Sequence, residues 1–139
     1  AAAFAGDIAK GIVSVLFVSR LGTWEYLPLA CGLAAIVGHT ASIFLKFKGG
    51  KGVATAAGVY LALAPSPTTI ALAIFAVLLA VTRMVSVGSI TAAVALLIGI
   101  ITTNPSRPLQ AITALVVILI VYKHRTNIAR ILRGQENRL

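Results

Sequence analysis

From Met84 to Thr103 no side chain carries a charge, and the apolar run is interrupted only by Ser, Thr and Gly. As a helix it is long enough to cross a ~30 Å hydrocarbon core, which takes ~20 residues. Of the 139 residues, 59% are hydrophobic and only 11% are charged, well outside the balance of a water-soluble domain. The mean hydropathy of +1.01 agrees. The chain is therefore read as a polytopic, all-α integral membrane bundle.

Tyr26 to Leu45 is a second run of similar length, with Pro28 early and His39 late. Thr68 to Thr82 and Leu109 to Tyr122 are shorter and almost purely aliphatic; they span if flanking polar residues snorkel. Gly52 to Ala64 and Gly6 to Ser19 complete a set of about six helices in one membrane domain covering residues 1–139. Pro65 and Pro67 are expected in a tight turn between two of them. Lys123 to Leu139 reads as a short amphipathic tail.

Lys and Arg accumulate in cytoplasmic loops. With Lys46, Lys48 and Lys51 placed inside and six helices alternating, Lys10, Arg83, Lys123, Arg125, Arg130, Arg133 and Arg138 fall inside too, leaving only Arg20 and Arg107 of the twelve basic residues outside. The net charge of +9 is thus mainly a topology signal, and it also favours anionic lipid headgroups.

The polar residues exclude much chemistry. Asp7, Glu25 and Glu136 are the only acids, and His39 and His124 the only histidines. No closely spaced carboxylate pair is available for glycoside hydrolysis. His-Glu-x-x-His, Gly-x-Ser-x-Gly and His-x4-Asp are all absent. Cys31 is the only cysteine, which rules out an internal disulfide or a multi-cysteine metal site. Nothing in the sequence supports a metal, a cofactor or a nucleic-acid partner.

Three polar clusters remain. The first is Gly38 to Thr55, GHTASIFLKFKGGKGVAT, where three lysines and a run of glycines interrupt apolar sequence. A Walker A loop needs Ser or Thr after its Lys, and here Gly52 follows Lys51. What remains is a simpler anion site: Gly49, Gly50 and Gly52 free the backbone to turn N–H groups outward, the next helix offers its positive N-terminus, and Lys51 adds a charge. A positive-inside loop with glycine turns accounts equally well for the composition. His39, two turns earlier, is an ionisable group in an apolar helix; it either faces a watery cavity or is a neutral, hydrogen-bonded structural histidine.

The second cluster is Arg83 with Ser86 and Ser89 at the start of a helix, read as either a site or a snorkelling arginine with helix-packing serines. The third is His124, Arg125 and Asn127, followed by Gly134 and Glu136. His124 and Asn127 share a face if the helix continues. Under the six-helix topology all three clusters lie at the inner membrane surface. A transporter or other anion-binding membrane protein is the alternative reading, although such proteins usually place polar groups near the bilayer midplane.

Gly38-His39 with FLKFKGGKGVAT, TRMVSVGSI at Thr82 to Ile90, and HRTNIARILRGQEN at His124 to Asn137 resemble the bacterial acyl-phosphate:glycerol-3-phosphate acyltransferases of the PlsY type. Asp7-Ile8-Ala9-Lys10-Gly11 looks like the segment that opens that family's second helix. The resemblance covers essentially the whole chain. It implies seven helices in a complete member, so that a first helix and a Ser-Gly-Asn loop are expected to precede this chain.

It also implies transfer of a fatty acyl group from acyl phosphate to the 1-hydroxyl of glycerol 3-phosphate, giving lysophosphatidic acid and phosphate at the cytoplasmic face of the bacterial inner membrane. No cofactor is implied. The partners implied are the two substrates, the lipid bilayer and the enzyme that produces acyl phosphate. Carried over by motif position, Lys51, Ser89, His124 and Asn127 are the expected catalytic residues. Gly49, Gly50, Lys51 and Gly52 would bind phosphate, with His39 and Arg83 as weaker carry-overs.

Overall fold

The structure is a computed structural model that describes residues 2–41 and 49–139. Lys46, Lys48 and the end of the expected Tyr26 to Leu45 span lie outside the described residues. The described chain is helical throughout: α1 (Ala2–Leu16), a short 3-10 turn (Val18–Leu21), α2 (Leu27–Thr40), α3 (Val53–Leu63), α4 (Pro65–Thr82), α5 (Val85–Thr103), α6 (Arg107–Lys123) and α7 (Arg125–Leu132). The six apolar helices expected from the sequence are α1 to α6. The seventh, α7, forms within the stretch expected as a tail.

By length and composition α4 and α5 are each able to cross a membrane, and α6 with α7 adds a third span if that pair, bent by 56°, counts as one. Pro65 and Pro67 do not form a turn. Both lie in the first turn of α4, where the missing N–H would have no helical partner anyway. The break falls at Ala64, whose N–H is the last to bond back into α3, to Tyr60 O at 2.8 Å.

The chain divides into two compact units, Ala1–Ser66 and Pro67–Leu139. In the first, α1 crosses α3 where two glycines remove side chains from the contact. A Cβ on Gly11 would lie 2.8 Å from Val59 N, and one on Gly58 would lie 3.0 Å from Ile8 Cα. Such close approach of helix backbones is how helices pack in lipid, where no hydrophobic force separates protein from solvent. Val15, Ile36, Val59 and Tyr60 are buried around that crossing.

In the second unit α5 packs on α6, and Ala92, Ala93, Leu96 and Ile100 of the one and Leu109, Val116, Val117 and Ile120 of the other are buried. A Cβ on Gly88 would lie 3.0 Å from the Phe75 ring, and one on Gly99 would lie 2.8 Å from Pro67 Cβ. These two close contacts set α4 against α5. The apolar residues exposed along the helices, such as Val77, Val81, Ile98 and Ile118, are those that a bilayer would cover.

Candidate active site

In the first unit the glycine turn is built onto the end of α2. Gly52 is the N-cap of α3 and has φ of 79°, a left-handed conformation that costs a side chain roughly 1–2 kcal/mol. A Cβ there would also lie 2.7 Å from the Thr40 methyl. Thr40 is itself fixed, its hydroxyl donating to Ile36 O at 3.0 Å. The Gly52 carbonyl accepts the first α3 hydrogen bond, from Ala56 N at 2.8 Å, which leaves the N–H groups of the first turn without helical partners. Lys51 is exposed directly ahead of that turn. A positive helix end and a full cation therefore meet at one place.

Gly49 and Gly50 lie against His39. A Cβ on Gly49 would collide with the His39 carbonyl oxygen, and one on Gly50 with Nε2 of the ring. His39 Nδ1 is 2.7 Å from Lys10 Nζ, and Lys10 Nζ is 2.6 Å from Asp7 Oδ1. His39 thus lies against Gly49 and Gly50, and Lys51 and Gly52 follow directly in the chain. Lys10 and Asp7, noted in the sequence only for topology and resemblance, join them.

The second unit gathers Ser86, Asn127 and Arg130 around Glu136, a carboxylate that the sequence placed in the third cluster without a role. Helix α6 ends at His124, whose N–H is shared between Ile120 O and Val121 O, both at 3.0 Å. His124 then caps α7, its carbonyl accepting from Ile128 N at 2.9 Å. The condition that the helix continue through His124 to Asn127 is not met by α6, since the chain bends by 56° at this point and α7 begins at Arg125. Both side chains are nevertheless buried, with exposures of 2% and 5%.

His124 Nδ1 lies 2.8 Å from Ile120 O. A carbonyl can only accept, so Nδ1 carries the proton and the neutral ring has its basic lone pair on Nε2.

After α7 the chain turns back through Gly134, with φ of 67°. Gln135 N bonds to Arg130 O at 2.8 Å and Gly134 N to Ile131 O at 3.0 Å, the two bonds of a Schellman cap. This reversal delivers Glu136 to the helix it has just left. Glu136 Oε1 accepts from Ser86 Oγ and from Asn127 Nδ2, each at 2.6 Å, and Oε2 accepts from Arg130 Nε at 2.9 Å. These contacts, the Ser86 hydroxyl first, then the Asn127 amide and the Arg130 guanidinium, outweigh desolvation and draw the Glu136 carboxyl from 4.5 down to about 2.

Ser86, Asn127 and α7 are therefore joined through one anion. Ser89 lies three residues beyond Ser86, on the same side of α5, and is 3% exposed. Arg83 does not begin α5: it sits in the break after α4 with φ of 58°, where its carbonyl accepts from Leu139 N at 2.8 Å. The signal that could have given Glu136 its central role is its isolation. It is the only acid after Glu25, set two residues past a glycine suited to a helix C-terminus.

Asp7 and Glu136 are both engaged by cations, so neither is a free general base. Among the described residues no group of three or more His, Cys, Asp or Glu side chains could hold a metal ion.

The family model for glycerol-3-phosphate acyltransferase matches residues 1–134. Proteins named glycerol-3-phosphate acyltransferase from Trichlorobacter lovleyi and Geobacter sulfurreducens are 46% and 44% identical over 133 residues, covering 96% of this chain and 69% of each relative. The crystal structure of PlsY (YgiH), an integral membrane glycerol 3-phosphate acyltransferase, in its glycerol 3-phosphate form superposes with a TM-score of 0.89 at 34% identity, over 98% of this chain and 68% of that one. Its lysophosphatidic acid form gives the same TM-score over 70% of that chain. With the sequence match spanning nearly every residue and the helices following the same path, this chain belongs to the glycerol-3-phosphate acyltransferase family.

Proposed function

We propose that this chain moves a fatty acyl group from acyl phosphate to glycerol 3-phosphate, forming lysophosphatidic acid for phospholipid synthesis at the cytoplasmic face of the bacterial inner membrane. The observation that carries the donor assignment is the state of the carboxylates. Asp7 and Glu136 are held by Lys10 and Arg130, so the glycine loop of the first unit offers a cation and backbone N–H groups rather than a free carboxylate. Such a site suits a donor that is already activated and needs no covalent enzyme intermediate.

In the reaction the hydroxyl oxygen of glycerol 3-phosphate bonds to the acyl carbonyl carbon, and the bond from that carbon to the phosphate oxygen breaks. Inorganic phosphate leaves with the electron pair. The hydroxyl proton passes to His124 Nε2 or to a substrate phosphate oxygen. Lys51 and the first-turn N–H groups of α3 offset the charge of a phosphate group, and Ser89 and Asn127 orient the acceptor. Holding both substrates in register converts a bimolecular encounter into a positioned one, and fixed donors stabilise the developing oxyanion.

The test is Lys51→Ala in the full chain, with lysophosphatidic acid formation as readout and acyl phosphate, acyl-CoA and acyl-carrier protein supplied in turn. The expected result is turnover with acyl phosphate alone, reduced ~10²-fold or more by the substitution. Turnover with a thioester alone would overturn the donor assignment, and normal turnover after Lys51→Ala would overturn the role of the loop.

A further inference from the structure

Beneath the Gly49–Gly50 turn lies a three-residue contact to which the proposed reaction gives no role. Lys10 Nζ is 2.6 Å from Asp7 Oδ1 and 2.7 Å from His39 Nδ1, while Asp7 Oδ1 is 3.4 Å from the same Nδ1. A lysine ammonium has three donors and no acceptor, so the ring nitrogen at 2.7 Å accepts. Nδ1 therefore carries no proton, and the neutral ring keeps its hydrogen on Nε2. A doubly protonated ring would set an N–H against the ammonium, with Asp7 Oδ1, 3.4 Å from Nδ1 and already engaged by Lys10 at 2.6 Å, as its acceptor.

The other edge of the ring meets the loop. A Cβ on Gly50 would collide with His39 Nε2 and lie 3.0 Å from Cε1 and 3.2 Å from Cδ2. The imidazole thus rests flush on the Gly50 backbone, and rotating it moves the turn. Asp7 and Lys10, three apart on α1, share a face, so Asp7 holds the lysine, the lysine holds the ring and the ring seats the glycine. An exposed Lys–Asp pair by itself contributes little. Here the histidine between it and the loop gives the pair a consequence.

We propose that Lys10 is a positioning residue for the glycine loop: fixed by Asp7, it holds His39 as the neutral tautomer protonated on Nε2, and the ring in that state is the seat of Gly50. The proposal rests on reading Gly49 to Gly52 as the site of a phosphate monoester, and extends that site to a residue on α1. His39 then supports the loop from below.

The test uses the full chain in bilayers with ring-15N-labelled histidine. Only two histidines are present, so His39→Gln identifies the His39 signals. The expected spectrum shows Nδ1 unprotonated and Nε2 protonated. Lys10→Met removes that preference and Lys10→Arg retains it.

In kinetics with each substrate varied in turn, Lys10→Met raises KM for glycerol 3-phosphate or for acyl phosphate by about tenfold, as expected for one lost charge-assisted contact. The value of kcat changes by less than about threefold, and Lys10→Arg restores most of the loss. The KM that moves tells which phosphate monoester the loop holds. A protonated Nδ1 in the unsubstituted protein overturns the proposal, as do unchanged KM values for both substrates in Lys10→Met. Failure of the underlying reading is separable: Lys51→Ala would then leave both KM values unchanged while the ring signals still report the Lys10 contact.

Discussion

Ser86 donates to Glu136 Oε1 at 2.6 Å across fifty positions of sequence, tying the start of α5 to the segment that follows α7. Asn127 shares that oxygen. The amide expected to orient glycerol 3-phosphate is therefore held by an anion whose own partners are Ser86, Asn127 and Arg130. Glu136→Gln keeps the shape but loses the charge, and its amide N–H2 cannot accept from Arg130. Because a misplacement of ~1 Å can cost ~10²-fold in rate, a fall of that order in kcat is expected. Glu136→Asp, with the charge kept and the reach shortened, is expected to fall between. Steady-state rates of the two variants check the order.

The same carboxyl predicts an acid-dependent loss of stability. The Ser86, Asn127 and Arg130 contacts lower its pKa from 4.5 to about 2 in the folded chain. A depressed carboxyl stabilises the fold fully above its unfolded value and loses that contribution as pH falls through the folded value. The window is therefore between pH 4.5 and about pH 2. Thermal unfolding in detergent across that range should show a decline that Glu136→Gln lacks. Parallel curves for the two proteins would contradict it.

Much of this was legible because helical spans in lipid announce themselves by composition. The uncharged runs at Met84 to Thr103 and Thr68 to Thr82 became α5 and α4 with little change, since nothing but length and hydropathy was needed to find them. The prolines misled because Pro65 and Pro67 are as compatible with a helix start as with a turn, and only packing decides.

The sequence ended the apolar span at Tyr122, but the sharp bend at His124 into a further helix could not be read, because no proline or glycine marks it. Its cause is a histidine that closes one helix and opens the next. The role of Glu136, named in the third cluster, was hidden for a different reason. Its partners come from α5 and α7, and the turn that returns it depends on Gly134 adopting positive φ, a choice that a glycine permits without requiring.

Gly52 should tolerate no side chain. Its φ of 79° and the Thr40 methyl at 2.7 Å from a Cβ act together, so Gly52→Ala is expected to destabilise the loop by ~1–2 kcal/mol or more and to raise KM for a phosphate-bearing substrate. Gly6 in α1 is the internal control. Nothing lies within 4 Å of its Cβ position, and Ala in a helix interior is favoured over Gly by ~0.5–1 kcal/mol. Gly6→Ala should therefore leave KM unchanged and leave the melting temperature unchanged or slightly higher. A Gly52→Ala protein that behaves like Gly6→Ala would show that the left-handed cap is dispensable.

His124 allows the role of a base to be separated from the role of a cap. Its backbone closes α6 and opens α7, and its Nδ1 donates to Ile120 O at 2.8 Å, leaving Nε2 as the basic nitrogen of the neutral ring. Asparagine is favoured at helix N-caps and offers an amide donor towards Ile120, so His124→Asn should preserve the bend while removing the base. General-base assistance is typically worth 10²- to 10⁴-fold. A fall in kcat of ~10²-fold or more, with far-UV circular dichroism and melting temperature close to those of the unsubstituted chain, is the expected outcome. If kcat falls less than tenfold while the fold is intact, the hydroxyl proton leaves by way of the substrate's own phosphate, and His124 acts in binding and in shaping the α6–α7 bend.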